Sequence, residues 1–243
     1  MRLLRFLIAT CVTTVVHSKL LIDYKGGQDA TTLGLLDMEA QELGDHVTAM
    51  SWDTVIIQAE EDSHLGVQCL HYKRTPHYRR AEVKALQHGG LQPNNKYYFG
   101  YSVRLSRASG GLVIFQWKKQ DKDAEPQQNI PFELEFKGSV EGTNTLSLEY
   151  TTPGSDGSNR TSIWSGTFST GSSTSNVHNI GFKLKRSGLC LWTGETYPKW
   201  GIYRGEAAAG SSDPDSWHTF NSYVYRVQVS DSSKSEVAES AGW

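Results

Sequence analysis

Along most of this chain hydrophobic and polar residues alternate one for one, in short runs cut by Gly, Ser, Asn and Pro. A period of two marks strands with one buried and one polar face. It predicts strands at 54–58 (TVIIQ), 81–86 (AEVKAL), 97–105 (YYFGYSVRL), 111–118 (GLVIFQWK), 132–136 (FELEF), 146–150 (LSLEY), 179–184 (NIGFKL) and 222–229 (SYVYRVQV). One further run, Tyr197-Pro-Lys-Trp-Gly-Ile-Tyr203, would set Tyr197, Lys199, Gly201 and Tyr203 on one face, with Pro198, Trp200 and Ile202 on the other. Helical spacing is confined to 33–43 (LGLLDMEAQEL), where a short helix is expected. The Gly/Ser-rich stretch 153–176 reads as long loops, and the polar end after Asp231 as a frayed tail. Many short strands without strand–helix–strand alternation predict an all-β, single-domain β-jelly roll: two antiparallel sheets packed as a sandwich with a concave groove.

The first 18 residues depart from that pattern. Arg2 and Arg5 precede an apolar run of about ten residues, and Val16 and Ser18 occupy the small-residue positions of a cleavage site. The expected division is a signal peptide over 1–18, a folded domain over 19–231 and a flexible tail over 232–243, in a secreted, extracellular protein. Loss of Cys11 with the signal leaves Cys69 and Cys190, which are expected to form one disulfide. Asn159-Arg-Thr161 is a glycosylation sequon. Of 24 Lys and Arg, 22 remain after Arg2 and Arg5 are discounted, against 26 Asp and Glu, a net charge of about −4. That balance argues against nucleic acid as a partner, and no second apolar run reaches membrane length. An anionic partner would have to be held by a local basic cluster.

Three segments concentrate such chemistry. In Lys73–Lys84 (KRTPHYRRAEVK) six of twelve residues are Lys, Arg or His, and a strand over 80–84 puts Arg80, Glu82 and Lys84 on one face. A carboxylate between two cations limits their rotamers, so Glu82 is read as an orienting group. In Val113–Lys119, Ile114, Gln116 and Lys118 share a face opposite Val113, Phe115 and Trp117. The third segment carries the Tyr197, Lys199, Tyr203 face. Three strands with Arg, Lys, Gln and Tyr on one side make a basic, phenol-bearing groove.

The motifs Arg80-Ala-Glu-Val83, Phe115-Gln-Trp117 and Tyr197-Pro-Lys-Trp-Gly-Ile-Tyr203 follow each other as in the alginate lyases and related jelly-roll polysaccharide lyases, which this chain resembles. It is most similar to the secreted fungal glucuronan lyases of polysaccharide lyase family 20. The alginate lyases continue their glutamine motif to a histidine, where this chain has Lys118. The resemblance implies β-elimination on a 4-linked polyuronate, an anionic polysaccharide partner and a jelly-roll fold. It implies Tyr197 as base and acid, with Tyr203 as the fallback. Arg80, Gln116 and His77 would neutralise the substrate carboxylate, with His71 and His88 as weaker candidates for the histidine. Lys199, Arg204, Tyr203, Lys118 and Glu82 would line the substrate site. No cofactor is required. A structural calcium on Asp213, Asp215 or Asp231 is compatible with the resemblance, although no loop has calcium spacing. The chain is expected to act as a monomer.

Two rival readings compete. Glu133 and Glu135 lie on one strand face, as in a sandwich glycoside hydrolase, but the usual third acid is missing after Glu135, and the pair is more simply read as positioning arginines or lysines. Trp117, Trp192, Trp200 and Trp217 could instead stack on sugars in a non-catalytic binding module.

Overall fold

In the computed structural model the described residues are 20–28, 37–42, 57–74, 78–85, 95–119, 130–140, 143–152, 159–185, 196–204 and 218–243. Thirteen strands fall in them: β1 (Ile22–Lys25), β2 (Asp37–Glu42), β3 (Ile57–Asp62), β4 (Val67–Arg74), β5 (Tyr78–Lys84), β6 (Lys96–Leu105), β7 (Leu112–Lys119), β8 (Phe132–Val140), β9 (Thr143–Thr151), β10 (Arg160–Phe168), β11 (His178–Lys185), β12 (Thr196–Arg204) and β13 (Phe220–Ser230). They form two antiparallel sheets, the jelly-roll sandwich that the alternation predicts. One sheet runs β11-β6-β13-β4-β3, with β1 also paired to β13; the other runs β10-β9-β8-β7-β12-β5-β2.

Alternate residues of both sheets make the core. Ala81, Val83, Phe115, Trp117, Leu134, Phe136, Trp200 and Ile202 face inward from the seven-stranded sheet and meet Leu70, Tyr72, Phe99, Tyr101, Val103, Val224 and Val227 from the other. Trp200 and Trp117 are therefore core residues, 0 and 5 % exposed, and not platforms for sugars; Trp192 and Trp217 lie outside the described residues. Gly201 sits among them with φ at +139°, and a Cβ there would lie 2.3 Å from Ala81 O and 2.9 Å from Tyr72 Cδ1. Only glycine lets β12 pass so close to β5 and β4.

Three expectations are corrected. Residues 37–42 are not helical: Asp37–Glu42 pairs antiparallel with β5 as the edge of the seven-stranded sheet, so its backbone groups are satisfied by a neighbour and not within a helix. Arg160–Phe168, read as loop, is the opposite edge strand, with a register shift between Ser162 and Trp164. The tail is folded. Lys234–Val237 forms a 3₁₀ turn and Ala238–Ala241 a short helix, with Val237, Ser240 and Ala241 buried. Glycines make this fit possible: Gly100 and Gly181 are cross-strand partners, and a Cβ on them would lie 2.0 Å from Ser240 Oγ and 2.6 Å from Ala241 Cβ.

Cys69 is a free, fully buried thiol 3.4 Å from Glu60 O; the expected disulfide partner Cys190 lies outside the described residues. Burial first, then the charges of Asp62 and Glu60, pushes this thiol up to about 12. Residues 1–19 also lie outside the described residues. Among the described residues no helix is long and apolar enough to cross a membrane.

Candidate functional site

The outward face of the seven-stranded sheet carries the polar members of each alternating strand. Register aligns them in a row across the sheet: Lys84, Lys199, Gln116, Glu133, Glu149 and Ser162 are successive cross-strand partners from β5 to β10. A second row, Arg80, Tyr203, Val113, Glu135 and Ser147, runs beside it. Tyr197 is opposite Lys118 on the same face, one alternation beyond Lys199. The three sequence motifs therefore converge on neighbouring strands β5, β12 and β7.

The centre of this face is covered. Lys199 and Glu82 are 0 % exposed, Gln116 2 % and Tyr197 6 %. Glu82 does orient cations, but the pair differs from the expected one. Lys199 Nζ lies 2.8 Å and Arg80 Nη1 3.6 Å from its Oε2. Lys199, directly opposite Lys84, reaches Glu82 diagonally across the strands, since Glu82 itself stands opposite Gly201. The Arg80 guanidinium also lies 4.6 Å over the Tyr203 ring. Two residues along a strand cover about 7 Å. Tyr197 is therefore one such step from the Lys199–Gln116 pair, and Tyr203 two steps on the other side.

On the far half of the face, Gln116 Nε2 donates to Glu133 Oε2 at 3.4 Å, and Arg160 Nη1 contacts Glu133 Oε1. Lys137 Nζ lies 2.5 Å from Glu135 Oε2 and 3.5 Å from Glu149 Oε2. Glu133 and Glu135 thus do hold an arginine and a lysine. Sequence reading missed Arg160 and Glu149; their signal was the register that aligns Phe132–Phe136 with Leu146–Tyr150, which alternation alone does not provide.

Two expected site residues, Arg204 and His71, are placed elsewhere, and one expected face is corrected. Arg204 has the parity of Trp200 and Ile202, so it leaves the polar face, is 8 % exposed and donates from Nε to Gly110 O at 3.4 Å. His71 lies on the outer face of the other sheet, stacked on Tyr223 with centroids 4.6 Å apart, its Nδ1 2.7 Å from Glu60 and its Nε2 2.9 Å from Asn221. Ile114 is a core residue, so Gln116 and Lys118 do not share its face. His77, His88, Asp213 and Asp215 lie outside the described residues, and no metal-binding cluster occurs among the described residues.

No protein-family model matches this sequence, and no curated protein matches it significantly. Solved structures do match the fold. An alginate lyase from Pseudomonas aeruginosa superposes with a TM-score of 0.53 at 11 % identity, covering 81 % of this chain and 98 % of that one. The fold is shared with an alginate lyase. A family 16 endo-glucanase from Bacteroides ovatus gives a TM-score of 0.49 at 12 % identity, covering 79 % of this chain and 94 % of its own. An alginate lyase from a Corynebacterium species gives 0.48 at 14 % identity, covering 86 and 98 %.

Proposed function

We propose that the protein is a secreted polysaccharide lyase that cleaves a 4-linked polyuronate, β-1,4-glucuronan in the first instance, by β-elimination. The observation that carries this reading is the convergence of Arg80, Lys199, Gln116 and Tyr197 on one face of β5, β12 and β7. Alginate cleavage is the alternative that the shared fold favours.

Such a reaction removes the C5 proton and expels O4 as the C4–C5 double bond forms. C5–H is too weak an acid while the neighbouring carboxylate keeps its full charge. Donors that hold this carboxylate stabilise the enolate, and one well-placed donor is typically worth about 100- to 1000-fold in rate. Gln116 and Arg80 are the described groups for this role, and His77 is the third by resemblance. Glu133 fixes the amide of Gln116 through one N–H, which leaves the second N–H for the substrate. In a β-1,4-linked glucuronate, H5 and O4 can be reached from one side of the ring. One group can then take the proton and return it to O4. Tyr197, nearer to Gln116 than Tyr203 is, suits that task.

The test is absorbance near 235 nm on adding glucuronan, alginate or a heparin-like chain, because β-elimination creates an unsaturated uronate and hydrolysis does not. Tyr197→Phe should fold normally and lose at least about 100-fold in turnover. Retention of activity by Tyr197→Phe with loss in Tyr203→Phe would move the base to Tyr203. Retention by both would sink the mechanism.

A further inference from the structure

Glu133 and Glu149 are direct cross-strand partners on the polar face, 2 and 3 % exposed. Like charges placed opposite one another destabilise a sheet, and burial strengthens their repulsion. The two carboxylates differ in what holds them. Glu133 is held on both oxygens, by Arg160 and by Gln116. Glu149 has the ammonium of Lys137 at 3.5 Å from Oε2, while its Oε1 is buried with no hydrogen-bond partner. A buried acceptor without a donor is costly, and such an atom in a native fold calls for an explanation. The Lys137 side chain is itself 39 % exposed.

We propose that Glu149 is a substrate-binding residue that accepts hydrogen bonds from the ring hydroxyls of a sugar unit beside the reacting one. This rests on the reading of the polar face as a polysaccharide site. An ionised carboxylate is a pure acceptor, and hydroxyl donors to it form charge-assisted bonds. Glu149 is two strands from Gln116, roughly 10 Å across the sheet, so a chain lying along the row reaches both. The charges divide accordingly. On β5, β12 and β7 the cations Arg80, Lys84, Lys199 and Lys118 outnumber Glu82, whereas Glu133, Glu135 and Glu149 outnumber Arg160 and Lys137 on β8 to β10. The first half suits a uronate carboxylate. The second suits hydroxyls, and a sugar bound there needs no carboxylate of its own.

The experiment uses the whole chain and its Glu149→Gln variant, with calorimetric binding of a glucuronan hexasaccharide and of a neutral β-1,4-glucan hexasaccharide, and with thermal unfolding. The expected result is binding of both saccharides by the wild type, weakened tenfold or more in Glu149→Gln, with Tm unchanged or raised because one of two facing charges is gone. On any polyuronate that is cleaved, KM rises while kcat holds. A structural carboxylate would behave oppositely: a lower Tm, or a failure to fold, with the folded fraction binding as wild type. That result, or a wild type that binds neither saccharide, overturns the proposal. Glu149→Leu combined with Lys137→Met removes the acceptor at no change in net charge and must weaken binding equally. Binding that depends on Glu149 without any absorbance at 235 nm would leave this inference standing and remove the lyase reading instead.

Discussion

Lys199 and Glu82 form a wholly buried ion pair, and such pairs behave asymmetrically on mutation. Removing one partner strands the other charge in a covered site and costs about 3–5 kcal/mol, whereas replacing both by apolar groups is often neutral. Lys199→Met should therefore lower the urea midpoint strongly, and Lys199→Met with Glu82→Leu should recover most of that loss. Additive losses in the double variant would show that the two side chains act independently. Much of this site was legible in the sequence, because a period of two is enough to place Tyr197, Lys199 and Tyr203 together. The same period separates Arg204 from them, since it falls in step with Trp200 and Ile202. What was not legible is which side chains face each other across strands. Lys199 pairs with Glu82, and Gln116 with Glu133, through register, and neither follows from spacing along one strand.

Strands with clean alternation, such as β6, β7 and β13, could be read directly, and those that failed did so for identifiable reasons. β10 carries Ile163 and Trp164 in succession across a register shift, so its pattern loses the period; both residues are exposed on an edge. β2 has helix-forming residues, Met38, Glu39, Ala40 and Gln41, but its partner β5 decides its form. The C-terminal turn is polar in sequence and depends on Gly100 and Gly181, far away along the chain. Ser240 Oγ, which donates to Gln228 Oε1 at 2.9 Å, occupies the space that a side chain on Gly100 would need. Gly100→Ala is accordingly expected to expel this turn, with a lower Tm and rapid protease cleavage within 232–243. An intact, protected C terminus in that variant would contradict the close fit.

The whole molecule is pinned on its other side by a buried charge cluster. Arg104, 1 % exposed, donates to Asp62 Oδ2 from Nε at 2.8 Å and from Nη2 at 2.5 Å, and to Gly171 O from Nη1 at 2.7 Å. It thereby ties the β3–β4 turn and the β10–β11 connection to the sheet. Burial alone would push the Asp62 carboxyl up, but hydrogen bonds from Tyr225, Arg104 and the His64 backbone outweigh it and hold the group below the ordinary carboxylate range. A lowered folded pKa contributes stability that is complete above the unfolded value, about pH 4, and is lost as pH falls through the folded value. Acid denaturation of the wild type should thus steepen below about pH 4. Asp62→Asn should be less stable at neutral pH and lose this part of the acid dependence. Equal acid slopes in the two proteins would remove Asp62 from the account.

The position of β13 fixes when this fold can exist at all. The strand lies between β6 and β4 and also pairs with β1, so residues 220–230 join the beginning, the first third and the middle of the chain. Until a ribosome has released them, β6 and β4 have no common neighbour, and the inner face of one sheet has no continuous partner. Such long sequence separations make loop closure the slow step, and folding is expected on the millisecond-to-second scale of β-sandwiches. A nascent chain ending at residue 219 should therefore stay open to proteases along its whole length. The full chain should gain protection in one late, concerted step.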